Sequence, residues 1–160
     1  MNEFKELETG DDAPDFKMPS TDREVFHLYG ELENGPVLLN FYIGDFGMNC
    51  TNYMMKMVDL LPEFEKIGVR IFPINPDALD NHRAFRDRLG SSCDHIHDEK
   101  QEVSRMYGAI VEDSPIIKGF TNREFFLIGT DRKIKYIWRA PMPKVLPDMD
   151  VILAEVRKAV

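Results

Sequence analysis

Two hydrophobic rhythms alternate along the chain. Val37-Leu-Leu-Asn-Phe-Tyr-Ile43 is a short, nearly continuous apolar run between Gly35-Pro36 and Gly44-Asp45. A run of this length bounded by turn residues predicts a strand buried on both faces. Past the loop Gly44 to Asn49 the spacing changes, and Met54, Met57, Leu61 and Phe64 recur at three and four residues. That spacing predicts a helix from Asn49 to Ile67, with Asn49 as its cap and Pro62 marking a kink or a restart. Val69-Arg-Ile-Phe-Pro-Ile74 reads as the next strand, weakened at its end by Pro73.

The remaining elements follow in the same way. Glu24 to Leu28 alternates like a short strand, and Asn75-Pro-Asp77 opens a helix through Leu89 that Gly90 closes. A short strand is expected at His95-Ile-His97, a helix at Glu102 to Tyr107, and a hairpin from Glu124–Ile128 and Lys133–Trp138 around Gly129-Thr-Asp131. A closing helix spans Pro147 to Val160, with Val151, Ile152 and Val156 on its apolar side. Strands alternating with helices and then an antiparallel pair imply an α/β fold, a mixed sheet covered on both faces. No repeat, low-complexity tract or linker divides residues 1–160, so one domain is expected.

Composition narrows the function classes. The 20 basic and 28 acidic residues leave a net charge of −8 without a basic stripe, which argues against nucleic-acid or anionic-membrane partners. No apolar run reaches the length of a membrane span. The acidic opening, Met1 to Glu8, has no apolar core of a secretory signal, so a cytoplasmic location with reduced thiols is expected.

Of the two cysteines, Cys50 and Cys93, the first stands where chemistry is usually placed. It follows a buried strand by a short loop and opens a helix, where free amides and the positive dipole end stabilise a thiolate. A nucleophile is one reading, and a small buried apolar side chain is the other. With no second cysteine nearby, a Cys-x-x-Cys dithiol is disfavoured.

Four ordered blocks resemble the peroxiredoxins of the alkyl hydroperoxide reductase and thiol-specific antioxidant family. Gly10-Asp-Asp-Ala-Pro-Asp-Phe16 is similar to the family's opening "G-x-x-A-P-D-F". Val37 to Tyr42 with Asp45-Phe46 and Cys50-Thr51 resembles the peroxidatic segment. Asp98 to Gly108 is similar to the helix "D-x-x-x-x-V-a-x-x-Y-G", and Arg123 to Ile128 resembles the strand bearing the active-site arginine. The resemblance implies a thioredoxin-like fold and a thiol peroxidase without a cofactor. Cys50 would attack a hydroperoxide and become a sulfenic acid, helped by Arg123 and by amides of the helix start around Thr51. Cys93 would be a candidate resolving thiol. If it is not, a thioredoxin, glutaredoxin or glutathione type reductant must regenerate Cys50. The chain departs from the motif Pro-x-x-x-Thr-x-x-Cys, with Ile43 for the proline and Gly47 for the threonine, and Tyr53 stands where a glutamate is frequent. Loss of an oriented hydroxyl of this kind can cost roughly 10²–10³ in rate, so a slow or specialised peroxidase is expected.

Other constellations carry alternatives. Cys93, His95 and His97 share one strand face by alternation and could bind zinc or copper. Met48, Met54, Met55 and Met57 near Cys50 suggest a Cu(I)-handling or redox-sensing thioredoxin-fold module as a second function, although helical spacing makes Met54 and Met57 core residues and Met55 an interface contact. Phe125, Phe126, Tyr136 and Trp138 make an aromatic hairpin whose edge could pair subunits in a homodimer. His27 and His82 have no partner assignable from the sequence.

Overall fold

The computed structural model describes residues 6–160; the stretch Met1 to Lys5 of the acidic opening lies outside the described residues. Its centre is a five-stranded sheet ordered β5-β4-β3-β6-β7. These strands are β3 (Val37–Phe41), β4 (Arg70–Asn75), β5 (Ile96–His97), β6 (Glu124–Ile128) and β7 (Ile134–Arg139). The order is mixed: β3 runs parallel to β4 and antiparallel to β6. A small second sheet pairs β1 (Lys17–Met18) with β2 (Phe26–His27). The helices are α1 (Leu28–Glu31), α2 (Met48–Lys66), α3 (Leu79–Leu89), α4 (Glu102–Met106) and α5 (Met149–Ala159).

All five residues of β3 are buried, as its continuous apolar run requires. Side chains alternate across it. Leu38 packs with Phe125, Leu127, Met54, Met57 and Ile152 in one layer, while Val37, Leu39 and Phe41 pack with Phe126, Phe26 and Tyr107 in the other. In the second layer Tyr107 stands edge-on to Phe126 at 5.1 Å and tilted against Phe41 at 5.5 Å.

Some sequence expectations shift. The strand expected over 24–28 shrinks to Phe26–His27, and Leu28 begins α1 instead. α2 runs through Pro62 as one helix rather than restarting there. Pro73 lies inside β4, and the ladder to β5 begins at the next residue, where donors resume. α3 closes as expected: Gly90 adopts a left-handed conformation, φ 67°, while the Ser91 amide reaches the Arg86 carbonyl at 3.0 Å. The apolar side of α5 is Met149, Ile152, Leu153 and Val156, and Val151 is exposed. Among the described residues no helix is long and apolar enough to cross a membrane.

Inside β6 the Glu124 carboxyl is buried and only partly satisfied. Asn122 Nδ2 donates to its Oε2 at 3.0 Å, whereas Arg139 Nε lies 3.3 Å from Oε1 without the alignment of a hydrogen bond. Desolvation outweighs both partners and pushes this carboxyl up to about 7 from its ordinary 4.5. Between those values the unfolded chain has lost the proton and the folded one keeps it, so stability falls as pH rises through that window and the full penalty remains above it. Glu124→Gln should therefore raise unfolding free energy by roughly 1–3 kcal/mol at pH 8 and give no gain at pH 4.5. Urea denaturation at the two pH values checks this; an equal effect at both would assign the change to packing.

Candidate active site

The site forms where β3 ends. Its pairing of Phe41 with Glu124 in β6 sets Arg123 beside Tyr42, at the same end of the sheet as the loop that starts α2. The loop is tied by contacts from its middle. The Asp45 amide donates to Asp77 Oδ2 at 2.7 Å, and its carboxylate meets the Tyr42 hydroxyl and, at 2.6 Å, His82 Nδ1. Phe46 holds a left-handed conformation, φ 63°, with its ring centroid 5.2 Å from that of Phe85. Such backbone is strained for a bulky residue and persists only where neighbours fix it.

Gly47, not Asn49, is the N-cap of α2, and Cys50 lies in the first turn. Of the helix start around Thr51, the Thr51 amide itself donates to the Gly47 carbonyl at 2.8 Å. The free donors precede it: the amides of Met48, Asn49 and Cys50 have no carbonyl one turn back.

Cys50 is buried, with 2% of its surface exposed, in the layer that holds Tyr42, Tyr53 and Phe125. Burial, followed by the nearby Cys50, holds the Tyr53 hydroxyl well above its ordinary range, while Arg123 opposes this; the phenol thus sits within the fields of both groups. Tyr53 stays protonated and donates to Asn40 Oδ1 at 2.9 Å. Arg123 is also buried. Its Nη1 donates to the Pro143 carbonyl, and its Nε has no partner among the described residues. A buried guanidinium N–H without an acceptor is costly, and it suits an oxygen or sulfur anion arriving at this point.

Cys93 lies elsewhere. It lines a cleft of about 510 Å³ with Leu61, Glu65 and Val69. Leu61 and Glu65 belong to the far half of α2, about 16 Å or more along the helix from Cys50 at 1.5 Å per residue. Among the described residues the turn that holds Cys50 does not line this cleft, and both thiols are free. Burial raises the Cys93 thiol above its ordinary range, partly opposed by Ser91.

The metal reading of the Cys93, His95 and His97 strand face changes as well. His95 turns into the interior and meets Tyr42 Oη through Nδ1 at 3.0 Å, in a cluster with Asp45 and His82. Burial, then His82 and Arg86, push its imidazole down to about 3, so it is neutral at physiological pH. His27 pairs with Asp15 at 2.7 Å. The methionines diverge: Met54 and Met57 are buried, while Met48 and Met55 are exposed, so the four do not gather around Cys50. The residues that sequence reasoning missed are Tyr42, Asn40, Asp45 and His82. Only the burial of the β3 run hinted that its polar members needed partners.

Comparison with known proteins places this geometry. The AhpC/TSA family model matches residues 9–137. The chain belongs to this family, the peroxiredoxins. It is 24% identical over 168 residues to a 1-Cys peroxiredoxin of Triticum aestivum, covering 96% of this chain and 77% of that protein. It is 26% identical over 123 residues to peroxiredoxin Bcp of Xanthomonas campestris, covering 76% of each. The chain spans 65% of the length of a Medicago truncatula relative. Among solved structures, peroxidoxin BcpB of Mycobacterium tuberculosis superposes with a TM-score of 0.82 at 25% identity, covering 96% of this chain and 99% of that one. PrxQ of Xylella fastidiosa gives a TM-score of 0.85 at 19% identity, covering 96% and 98%. The thioredoxin-like fold expected for a peroxiredoxin is thus present, with the chemistry of a thiol peroxidase.

Gly47 leaves room for the hydroxyl its family pattern carries. Its φ of −61° is open to any L residue, and a Cβ there would meet only the Gly44 carbonyl at an ordinary 3.5 Å. Gly47→Thr should raise the second-order rate with hydrogen peroxide about tenfold or more, a fraction of the 10²–10³ that one oriented donor supplies. Stopped-flow oxidation measures it; an unchanged rate would show that the missing hydroxyl does not limit this peroxiredoxin.

Proposed function

We propose that this peroxiredoxin reduces hydrogen peroxide or small organic hydroperoxides through Cys50, and that an external thiol rather than Cys93 returns Cys50 to its reduced form. The observation that carries the reading is the buried, unpartnered Nε of Arg123, sharing the surroundings of Tyr53 with a cysteine at an open helix start.

The chemistry follows from those groups. The Cys50 thiolate attacks the terminal peroxide oxygen, an S–O bond forms and the O–O bond breaks. The sulfur loses two electrons and the peroxide gains them. The leaving oxygen takes up a proton and departs as water or an alcohol, and Cys50 is left as a sulfenic acid. Negative charge moves from sulfur to the leaving oxygen in the transition state. The Met48, Asn49 and Cys50 amides at the open helix start and the buried Arg123 guanidinium are fixed donors, and such donors stabilise developing charge without reorganising. Tyr53, held protonated, packs its ring edge-on against Phe125 at 6.3 Å and fills the wall of the site.

Regeneration needs one thiol to condense with the sulfenic acid, releasing water, and a second to exchange with the resulting disulfide. The place of Cys93 in a cleft lined by the far half of α2 rather than by the turn that holds Cys50 supports an outside source for both. A thioredoxin, glutaredoxin or glutathione type reductant fits that need.

Cys50→Ser should abolish the fast reaction, Arg123→Ala should slow it by roughly 10²–10³, and Cys93→Ser should leave it unchanged. Intact mass after one equivalent of hydrogen peroxide should show a single oxygen on Cys50 that dimedone traps. Rapid loss of two hydrogens requiring both cysteines would assign resolution to Cys93 instead, and an unaltered rate in Arg123→Ala would remove that residue from the site.

A further inference from the structure

Beyond Cys50 the chain gathers a second polar cluster under the loop. Asp45 comes from that loop, His82 from α3 and His95 from the segment leading into β5. One donor atom of each lies within 4.8 Å of the others. The two imidazoles are fully buried, and the Asp45 side chain is 2% exposed. The Tyr42 hydroxyl lies among them, in contact with the Asp45 carboxylate, 3.0 Å from His95 Nδ1 and 3.4 Å from His82 Nδ1.

Hydrogen bonding accounts for only half of these rings. Both contacts use Nδ1. The Nε2 atoms of His82 and His95 are buried without a partner among the described residues, in rings whose centroids are 5.5 Å apart. Buried imidazole nitrogens ordinarily find partners, and two orphans in one cluster need a common reason.

We propose that Asp45, His82 and His95 bind one divalent first-row transition ion of the Zn²⁺ class, tying the loop that presents Cys50 to α3 and to the start of β5. The donors are two imidazoles and a carboxylate, with the Tyr42 phenol as an adjacent oxygen. Ca²⁺ and Mg²⁺ take mostly oxygen ligands, and Cu(I) favours sulfur, so this set selects Zn²⁺, Co²⁺ or Fe²⁺. The site does not include the Cys50 sulfur, and it stands or falls independently of the peroxidase reading. Cys93 lines the separate cleft beside Leu61, outside this donor set.

The test is titration of the metal-stripped, reduced protein with Co²⁺, followed by visible absorption, and with Zn²⁺, followed by calorimetry and thermal melting. One equivalent of Co²⁺ should bind with ligand-field bands and without a thiolate charge-transfer band, Zn²⁺ should displace it, and Tm should rise. Asp45→Asn, His82→Gln and His95→Gln should each weaken binding beyond the roughly 10–100-fold cost of disturbing an outer partner. Cys50→Ser and Cys93→Ser should bind as the parent does. If the ligand variants fail to fold, the parent's spectrum decides by itself, because a strong thiolate band would place the ion on a cysteine. That band, the absence of saturable binding up to millimolar Co²⁺ and Zn²⁺, or full binding in a folded His82→Gln, His95→Gln double variant would each overturn the proposal.

Discussion

The site depends on one central strand being buried on both faces and paired on both edges. β3 is held parallel to β4 and antiparallel to β6, so its end has a single position relative to each neighbour. A one-residue slip against β6 would exchange the Phe125 and Phe126 faces and bury Arg123 in the wrong layer. The apolar packing that forbids this slip is therefore what sets the guanidinium beside the end of β3. The same strand ends at Phe41, and the chain must turn beyond Tyr42 to begin α2. Cys50 and Arg123, 73 positions apart in sequence, both come within reach of Tyr53 because one register fixes the end of the sheet.

The two ends of the sheet use polar residues differently. At the end away from Cys50, Glu31 is buried against Arg23 and Arg70, and Arg70 also donates to the Glu31 and Gly35 carbonyls at 3.0 and 3.2 Å. Asp94 there accepts from Ser20, Thr21 and the Asp22 amide. Those charges are matched by opposite charges or by several donors, which is the condition for leaving ions in an interior. At the Cys50 end the matching is incomplete, since Arg123 Nε and the two imidazole Nε2 atoms lack partners among the described residues. Unsatisfied buried groups lower stability, and their concentration at one end of the sheet is what separates a working surface from a scaffold.

Much of this was legible in the sequence because it rests on long periodic segments. β3, α2, α3, the β6–β7 hairpin and α5 each bury a pattern long enough to read, and Cys50 and Arg123 were carried by ordered motif blocks. β1 and α1 were not readable as such and β2 was read too long, since two to four residues hold no period that fixes their ends. The cap of α2 was misplaced because Asn49 is a good cap by type, while the turn at Phe46 and the bond from the Thr51 amide to Gly47 start the helix two residues earlier. His82 had no visible partner because Asp45 lies 37 residues away, a contact made only when α3 packs over the loop.

The departures at Ile43 and Gly47 become intelligible from the same packing. A proline at position 43 would restrict the loop through its own ring. Ile43 instead packs its side chain against the core layer that contains Cys50, and conformational restriction must come from contacts further along. Asp45 supplies it, bonded through its amide to Asp77 and through its carboxylate to Tyr42 and His82. Phe46 adds a ring contact to Phe85 that offsets its left-handed backbone, a conformation costing about 1–3 kcal/mol. His82 and Phe85 both belong to α3. The turn that presents Cys50 is therefore shaped by a neighbouring helix rather than by its own covalent geometry, and whatever repositions α3 reaches the thiol through Asp45 and Phe46.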